Sequence, residues 1–240
     1  MLRRLFFGLV AALLAPAGLA HAQTSAAAGT AFKQLDSYLQ SNPLDFETNF
    51  DASSDGNELY RGKGHFILRQ PDALRADTTL AQNTYLLISD GTVLTIYNPQ
   101  QKRYSESPAP QSLSAAFGFF TGELGIDSQV LNFMGIVHMV NTGGGDGMKV
   151  TDAGTENIGG KSCDKFLIND PTDQGTWQVW LEKGDKPLMC KLIYRSVDGT
   201  EQSNVFQWNA VPTLTPQTFT FSPPAGSTKV DIGDLNMASP

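Results

Sequence analysis

The run from Thr84 to Tyr97 constrains the fold more than any other stretch of this chain. Asp90-Gly91 sits between two β-rich segments, the strongest short-range hairpin signal a sequence carries. A two-residue turn there pairs Leu87 with Leu94 and Tyr85 with Ile96, which puts these four on one face. Leu86, Ile88, Val93 and Tyr97 share the other. A hairpin apolar on both sides belongs to a sheet that is covered on both sides, or that offers one side to a ligand.

The flanking elements follow from their periods. Residues 23–30 are small and polar and are expected to be a disordered start to the mature chain. Phe32, Leu35 and Leu39 then recur at helical spacing within Ala31–Gln40. After Asn42-Pro43 the period changes to two. Phe46, Thr48 and Phe50 mark one strand, Leu59–Leu68 a second and Ala73–Leu80 a third. Pro108–Pro110 ends this block, and a helical insert is expected at about residues 111–140. Leu113, Phe117, Phe120 and Leu124 fall on one helical face. Asp127–Val140 is apolar around most of its circumference, which requires burial on several sides. Thr142–Gly147 reads as a flexible glycine joint, and strands resume from Met148 through Phe221. Turns are expected at Gly159-Gly160, Asp173–Gly175, Gly184-Asp185 and Asp198-Gly199. Helix, strands, helical insert and strands, without βαβ alternation, give an α+β fold built on one large antiparallel sheet.

Residues 1–22 have the three parts of a cleavable secretory signal. Arg3 and Arg4 precede the apolar run Leu5–Leu14, and Ala20-His21-Ala22 is a small-x-small cleavage site. Cleavage after Ala22 would leave residues 31–240 as a single domain in the periplasm, with no membrane span in the mature chain. It would also lower the Lys and Arg count from 17 to 15 against 24 Asp and Glu, so the formal charge falls from −7 to −9. That balance disfavours nucleic acid and anionic membrane surfaces as partners.

Cys163 and Cys190 in an oxidising compartment suggest a disulfide. Register points the other way. If Lys161–Asp170, Gly175–Glu182 and Pro187–Arg195 form a meander, the two cysteines lie on its outer strands, roughly 9–10 Å apart. Only strong curvature or a different strand order would bring them within bonding range. On the middle strand, Trp177 alternates onto one face with Val179 and Leu181, as core. Trp180 shares the other face with Gln178 and Glu182 and is expected to be partly exposed.

The residues of a catalytic centre are sparse. Thr155–Ser162 resembles a phosphate-binding loop, but Thr155 stands where the first glycine is needed, and a strand follows rather than a helix. There is no H-x-x-x-H pair, no CxxC and no G-x-S-x-G elbow. The sequence therefore points away from an enzyme and from any metal or other cofactor.

Arg69-Gln70-Pro71-Asp72-Ala73-Leu74-Arg75, then Ser89-Asp90-Gly91 and Tyr97-Asn98-Pro99, resemble the first β block of LolA-type periplasmic lipoprotein carriers. Gly160–Phe166, Trp177–Trp180 and Phe219–Pro224 resemble a related set of uncharacterised periplasmic proteins in the LolA/LolB-like superfamily. The resemblance implies an incomplete, strongly curved antiparallel barrel with covering helices, whose concave interior holds acyl chains in the carriers. The carriers place an arginine immediately before the proline, where this chain has Gln70.

Together these readings place a ligand-binding face on Tyr85, Leu87, Leu94 and Ile96 of the sheet, roofed by Phe117, Phe120, Phe133 and Met134 of the insert. The expected function is a non-catalytic carrier or sensor for a hydrophobic, lipid-like ligand or the acyl chains of a lipoprotein. The alternative is an envelope interaction or stress-sensing protein, with a filled core and a protein partner.

Overall fold

A computed structural model describes residues 25–80, 82–124, 129–142, 148–169, 175–211 and 213–235, with the side chains of 120–124 and 129–132 left aside. The expected signal peptide and the glycine joint at 143–147 lie outside the described residues.

The chain opens on helix α1 (Ala26–Ser41) and continues through β1 (Leu44–Ser54), β2 (Asn57–Arg69), β3 (Ala73–Leu80), β4 (Asn83–Asp90), β5 (Val93–Asn98) and β6 (Arg103–Pro108). Helices α2 (Leu113–Leu124) and α3 (Gln129–Asn141) form the insert. Then follow β7 (Lys149–Ile158), β8 (Lys161–Asn169), β9 (Gly175–Glu182), β10 (Met189–Ser196), β11 (Thr200–Trp208) and the two-residue β12 (Thr228–Lys229). The twelve strands of the described residues form one curved sheet in the order β12-β6-β5-β4-β3-β2-β1-β11-β10-β9-β8-β7. Neighbours are antiparallel except β12, which runs parallel to β6. Since β12 and β7 do not pair, the sheet stays open.

The two halves meet where β1 pairs β11, with Phe46 opposite Trp208 and Phe50 opposite Asn204. Alternation along β1 turns Leu44, Phe46, Thr48, Phe50 and Ala52 inward. On β2, Gly62 and Gly64 occupy the same concave row as Phe66 and Leu68. A Cβ at Gly62 would run into the Phe50 ring, and one at Gly64 into the Phe66 ring, so missing side chains let these rings lie flat on the strand.

Five expectations need correction. Residues 23–30 are not all irregular: α1 starts at Ala26, because Ser25 caps it by accepting from Ala28 N at 3.1 Å. Ala28 is itself buried. The β4–β5 turn is wider than two residues, pairing Ser89 with Leu94 and Leu87 with Ile96. Asp90 Oδ1 draws in the amides of Thr92 and Val93, at 2.7 and 2.8 Å, and so holds the longer loop. The shift is two residues, so each side chain keeps its face.

The third correction is the disulfide, which joins Cys163 to Cys190 with Cα atoms 6.7 Å apart. The meander order is as expected, but β10 bulges between Met189 and Lys191. Cys190 is the extra residue, and it leans over the end of β9, where Cys163 pairs Glu182. Fourth, Trp180 is only 2% exposed. It forms a second, outer cluster with Cys163, Cys190 and Ile193. Fifth, the run of antiparallel strands stops at Trp208 rather than Phe221. The segment beyond carries Pro212, Pro216, Pro223 and Pro224, which cannot donate to a ladder.

Candidate functional site

The concave face is built by alternation. Tyr85 and Leu87 on β4, and Leu94 and Ile96 on β5, are all buried and belong to one apolar cluster with Phe46, Phe66 and Leu74. The insert contributes Phe117 and Phe133 to the same cluster, and Met134 packs half-buried against it. Seven of the eight residues expected at the site thus converge on one apolar interior. Phe120 lies in α2, but its side chain is outside the described residues.

Phe133 is fully buried at the centre. Its ring lies 5.7 Å from Phe46, 5.2 Å from Phe206 and 6.0 Å from Trp208. Phe46 also stacks on Phe66 at 5.2 Å. These edge-to-face and stacked contacts clamp α3 onto the β1–β11 junction. The β11 aromatics came from the far end of the chain, and nothing in local periodicity marks them as partners of the insert.

Two polar ties hold the roof. Leu113 N, at the start of α2, donates to Pro71 O at 2.8 Å. The Gln70-Pro71 segment thereby anchors the insert through its backbone, without an arginine before the proline. At the other end, Asp36 of α1 is 7% exposed. It accepts from Asn141 Nδ2 at 2.7 Å and lies 3.7 Å from His138 Nδ1.

The outer face of the β4–β5 hairpin is covered by the chain itself. After β11, a 3-10 turn at Pro216–Phe219 packs on β3 and β4, burying Phe219 under the Arg69 guanidinium, 5.1 Å from its ring. Phe221 then sits 5.5 Å from Tyr97 and 5.3 Å from Tyr104. The chain rounds the β6 edge as β12, and Val230, Ile232 and Leu235 turn in to the main cluster. This strap covers the two-sided apolar hairpin on its outer side, as the insert covers it on the concave side.

A groove of about 310 Å³ crosses the outer face of β1–β4, lined by Glu47, Asn49, Lys63, His65 and Asp77. There Asp45 Oδ1 receives His65 Nε2 at 2.8 Å and Asn209 Nδ2 at 2.7 Å. On β1, burial raises the Asp51 carboxyl above its ordinary range, partly offset by Lys191. Over the outer cluster, Lys165 and the Trp180 indole N–H both donate to Glu156 and hold its carboxyl below the usual range. Among the described residues, no group of three or more His, Cys, Asp or Glu could hold a metal ion. None of their helices is long and apolar enough to cross a membrane.

Known proteins resemble parts of this chain in sequence or in structure. An outer-membrane lipoprotein carrier protein from Glaesserella parasuis is 35% identical over 99 residues, 41% of this chain and 44% of its own length. The match therefore spans less than half of that relative. Among solved structures, an uncharacterized conserved protein from Thermus thermophilus aligns with a TM-score of 0.49 at 8% identity, covering 85% of this chain and 99% of its own. The Mycobacterium tuberculosis lipoprotein LppX aligns at 0.46 and 14% identity, covering 79% and 99%. A chain of the Pseudomonas aeruginosa MucA/MucB complex aligns at 0.45 and 14% identity, covering 82% and 62%. The model of the family described as "Predicted periplasmic protein (DUF2092)" matches residues 29–233, which takes in most of α1, the whole sheet and most of the strap. The chain belongs to this DUF2092 family of predicted periplasmic proteins.

Proposed function

We propose that this protein is a non-catalytic periplasmic carrier or sensor, which takes a hydrophobic, lipid-like ligand or acyl chain between the concave face and the α2–α3 roof. The observation that carries this reading is the convergence of Tyr85, Leu87, Leu94 and Ile96 with Phe117 and Phe133 in one apolar interior beneath a separately tethered insert. Each methylene transferred there from water contributes about 0.8 kcal/mol, so an acyl chain binds usefully once a few are buried. The similarity to a protein named as an outer-membrane lipoprotein carrier supports the same class of cargo.

A second reading has its own support. The close aromatic packing of Phe133 with Phe46, Phe206 and Trp208 fits a filled core, and hence an envelope interaction protein whose partner is another protein. Titration with a fluorescent fatty acid separates the two. The carrier reading expects saturable binding that weakens in Phe117→Trp, which narrows the interior. Organic extraction of the purified protein, followed by mass spectrometry, identifies any bound lipid. No binding by the folded wild-type protein overturns the carrier and leaves the interaction protein.

A further inference from the structure

An open sheet has a seam, and the two sides of this seam are held very differently. At the β7 side stands α1, sixteen residues long, with Ala28, Phe32, Leu35 and Leu39 buried and Ser25 N bonded to Val150 O at 3.4 Å. At the β6 side stands the strap. Its ladder is two residues long, Thr228 opposite Arg103 and Lys229 opposite Tyr104. It is flanked by Thr228 N to Lys102 O and Val230 N to Tyr104 O, both 2.9 Å. Two exposed tethers add to this: Lys229 Nζ to Glu106 at 2.7 Å, and Arg103 Nη1 to Asp234 O at 3.2 Å. The exposed Lys229–Glu106 ion pair contributes little.

Yet this thinly held segment carries apolar side chains into the interior. Leu235 is fully buried, and Val230 and Ile232 pack on the same cluster as the candidate site. At its start, Pro223-Pro224 leads into Gly226 at φ +80°, a backbone turn that glycine adopts without strain and other residues do not. Local opening free energies follow the number of buried contacts and ladder bonds, so the strap releases before either α1 or the sheet.

We propose that residues 226–235 are the gate of the apolar interior. The strap detaches from β6, withdraws Val230, Ile232 and Leu235, and opens the seam to an acyl chain, while α1 keeps the β7 side shut. This rests on the carrier reading above, and the test keeps the two apart. The probe is an environment-sensitive naphthylamine dye, followed by stopped-flow fluorescence. The strap is pinned by a disulfide through Arg103→Cys with Thr228→Cys, residues that face each other in the register. The oxidised pinned protein is expected to take up dye about tenfold more slowly than its reduced form, with wild type treated identically as control. Leu235→Ser is expected to take it up faster than wild type. Amide hydrogen exchange gives a readout that needs no ligand: Thr228 and Val230 should exchange well ahead of the β4 and β5 amides.

If pinning leaves the uptake rate unchanged while wild type binds dye, the gate lies elsewhere and the carrier reading survives. If wild type binds no dye, the carrier reading falls and the gate with it. Exchange of Thr228 and Val230 only with global unfolding would also overturn the gate.

Discussion

Two tryptophans three residues apart on β9 sit in two different cores. Trp177 faces inward, 7% exposed, with its ring 4.4 Å from Tyr194, in the cluster that continues to the α2–α3 insert. Trp180 faces outward, 2% exposed, over a patch closed by the disulfide and Ile193. The inner core is made by many residues drawn from every part of the chain. The outer one is made by a few, and its roof is not apolar. Lys165 and Lys191 lay their ammonium groups over the indole at 4.7 and 5.3 Å, and Glu156 takes its N–H at 3.0 Å. A polar surface can bury a large ring when cations lie over its face and its N–H keeps a partner.

If that comparison is right, the two rings are similarly valuable despite their different surroundings. Trp177→Ala and Trp180→Ala should each cost about 3–5 kcal/mol in denaturant unfolding. A loss at Trp180 of under about 1 kcal/mol, in the range of ordinary surface positions, would break the comparison and return Trp180 to the surface.

The outer cluster also owns the covalent link. Replacing Cys163 and Cys190 together by Ser opens a loop of sequence separation 27. Loop-closure entropy predicts a loss of about 3.5 kcal/mol. Since the bond lies on the outer face, dye uptake by the concave side should be unchanged in the folded double variant. A large change in uptake would mean that the two cores are coupled.

The smallest expected effect lies in pH. Lys165 first, and then Trp180, favour the charged form of Glu156, so its carboxyl titrates lower in the folded protein than the ordinary 4.5. Its contribution is then fully present above pH 4.5 and is lost as pH falls through the lower folded value. Comparison of wild type with Glu156→Gln across this range should show the stability difference shrinking on acidification, with Trp180 fluorescence changing in step. A difference that grows on acidification would reverse the assignment.

Much of this was written locally. A period of two assigned β1 to β5 and the faces of their side chains, and those faces survived a two-residue error in the β4–β5 register because parity was kept. The Gly159-Gly160 turn, with both glycines at positive φ, was legible from the dipeptide alone. The burial of Tyr85, Leu87, Leu94 and Ile96 was legible for the same reason, since an apolar side chain at the right parity on a sheet that must be covered has few places to go, whereas Phe117, Phe133 and Met134 followed from the apolar pattern of the helical insert.

What local pattern could not supply were the meetings between distant segments. Trp180 reads as half-exposed from Gln178 and Glu182 beside it; its burial comes from Lys165, Lys191 and a disulfide that only a bulge at Cys190 makes possible. Gly62 and Gly64 look like weak points in a strand until the Phe50 and Phe66 rings are laid across them. The strap, proline-rich and without a period, gives no hint that it covers one face of the β4–β5 hairpin with Phe219 and enters the other side of the sheet with Leu235. Sequence by itself determined which side each strand residue faces, because the backbone alternates whatever lies around it. Tertiary structure decided what covers each face, because that depends on which remote segment gains most by burying its own apolar surface there.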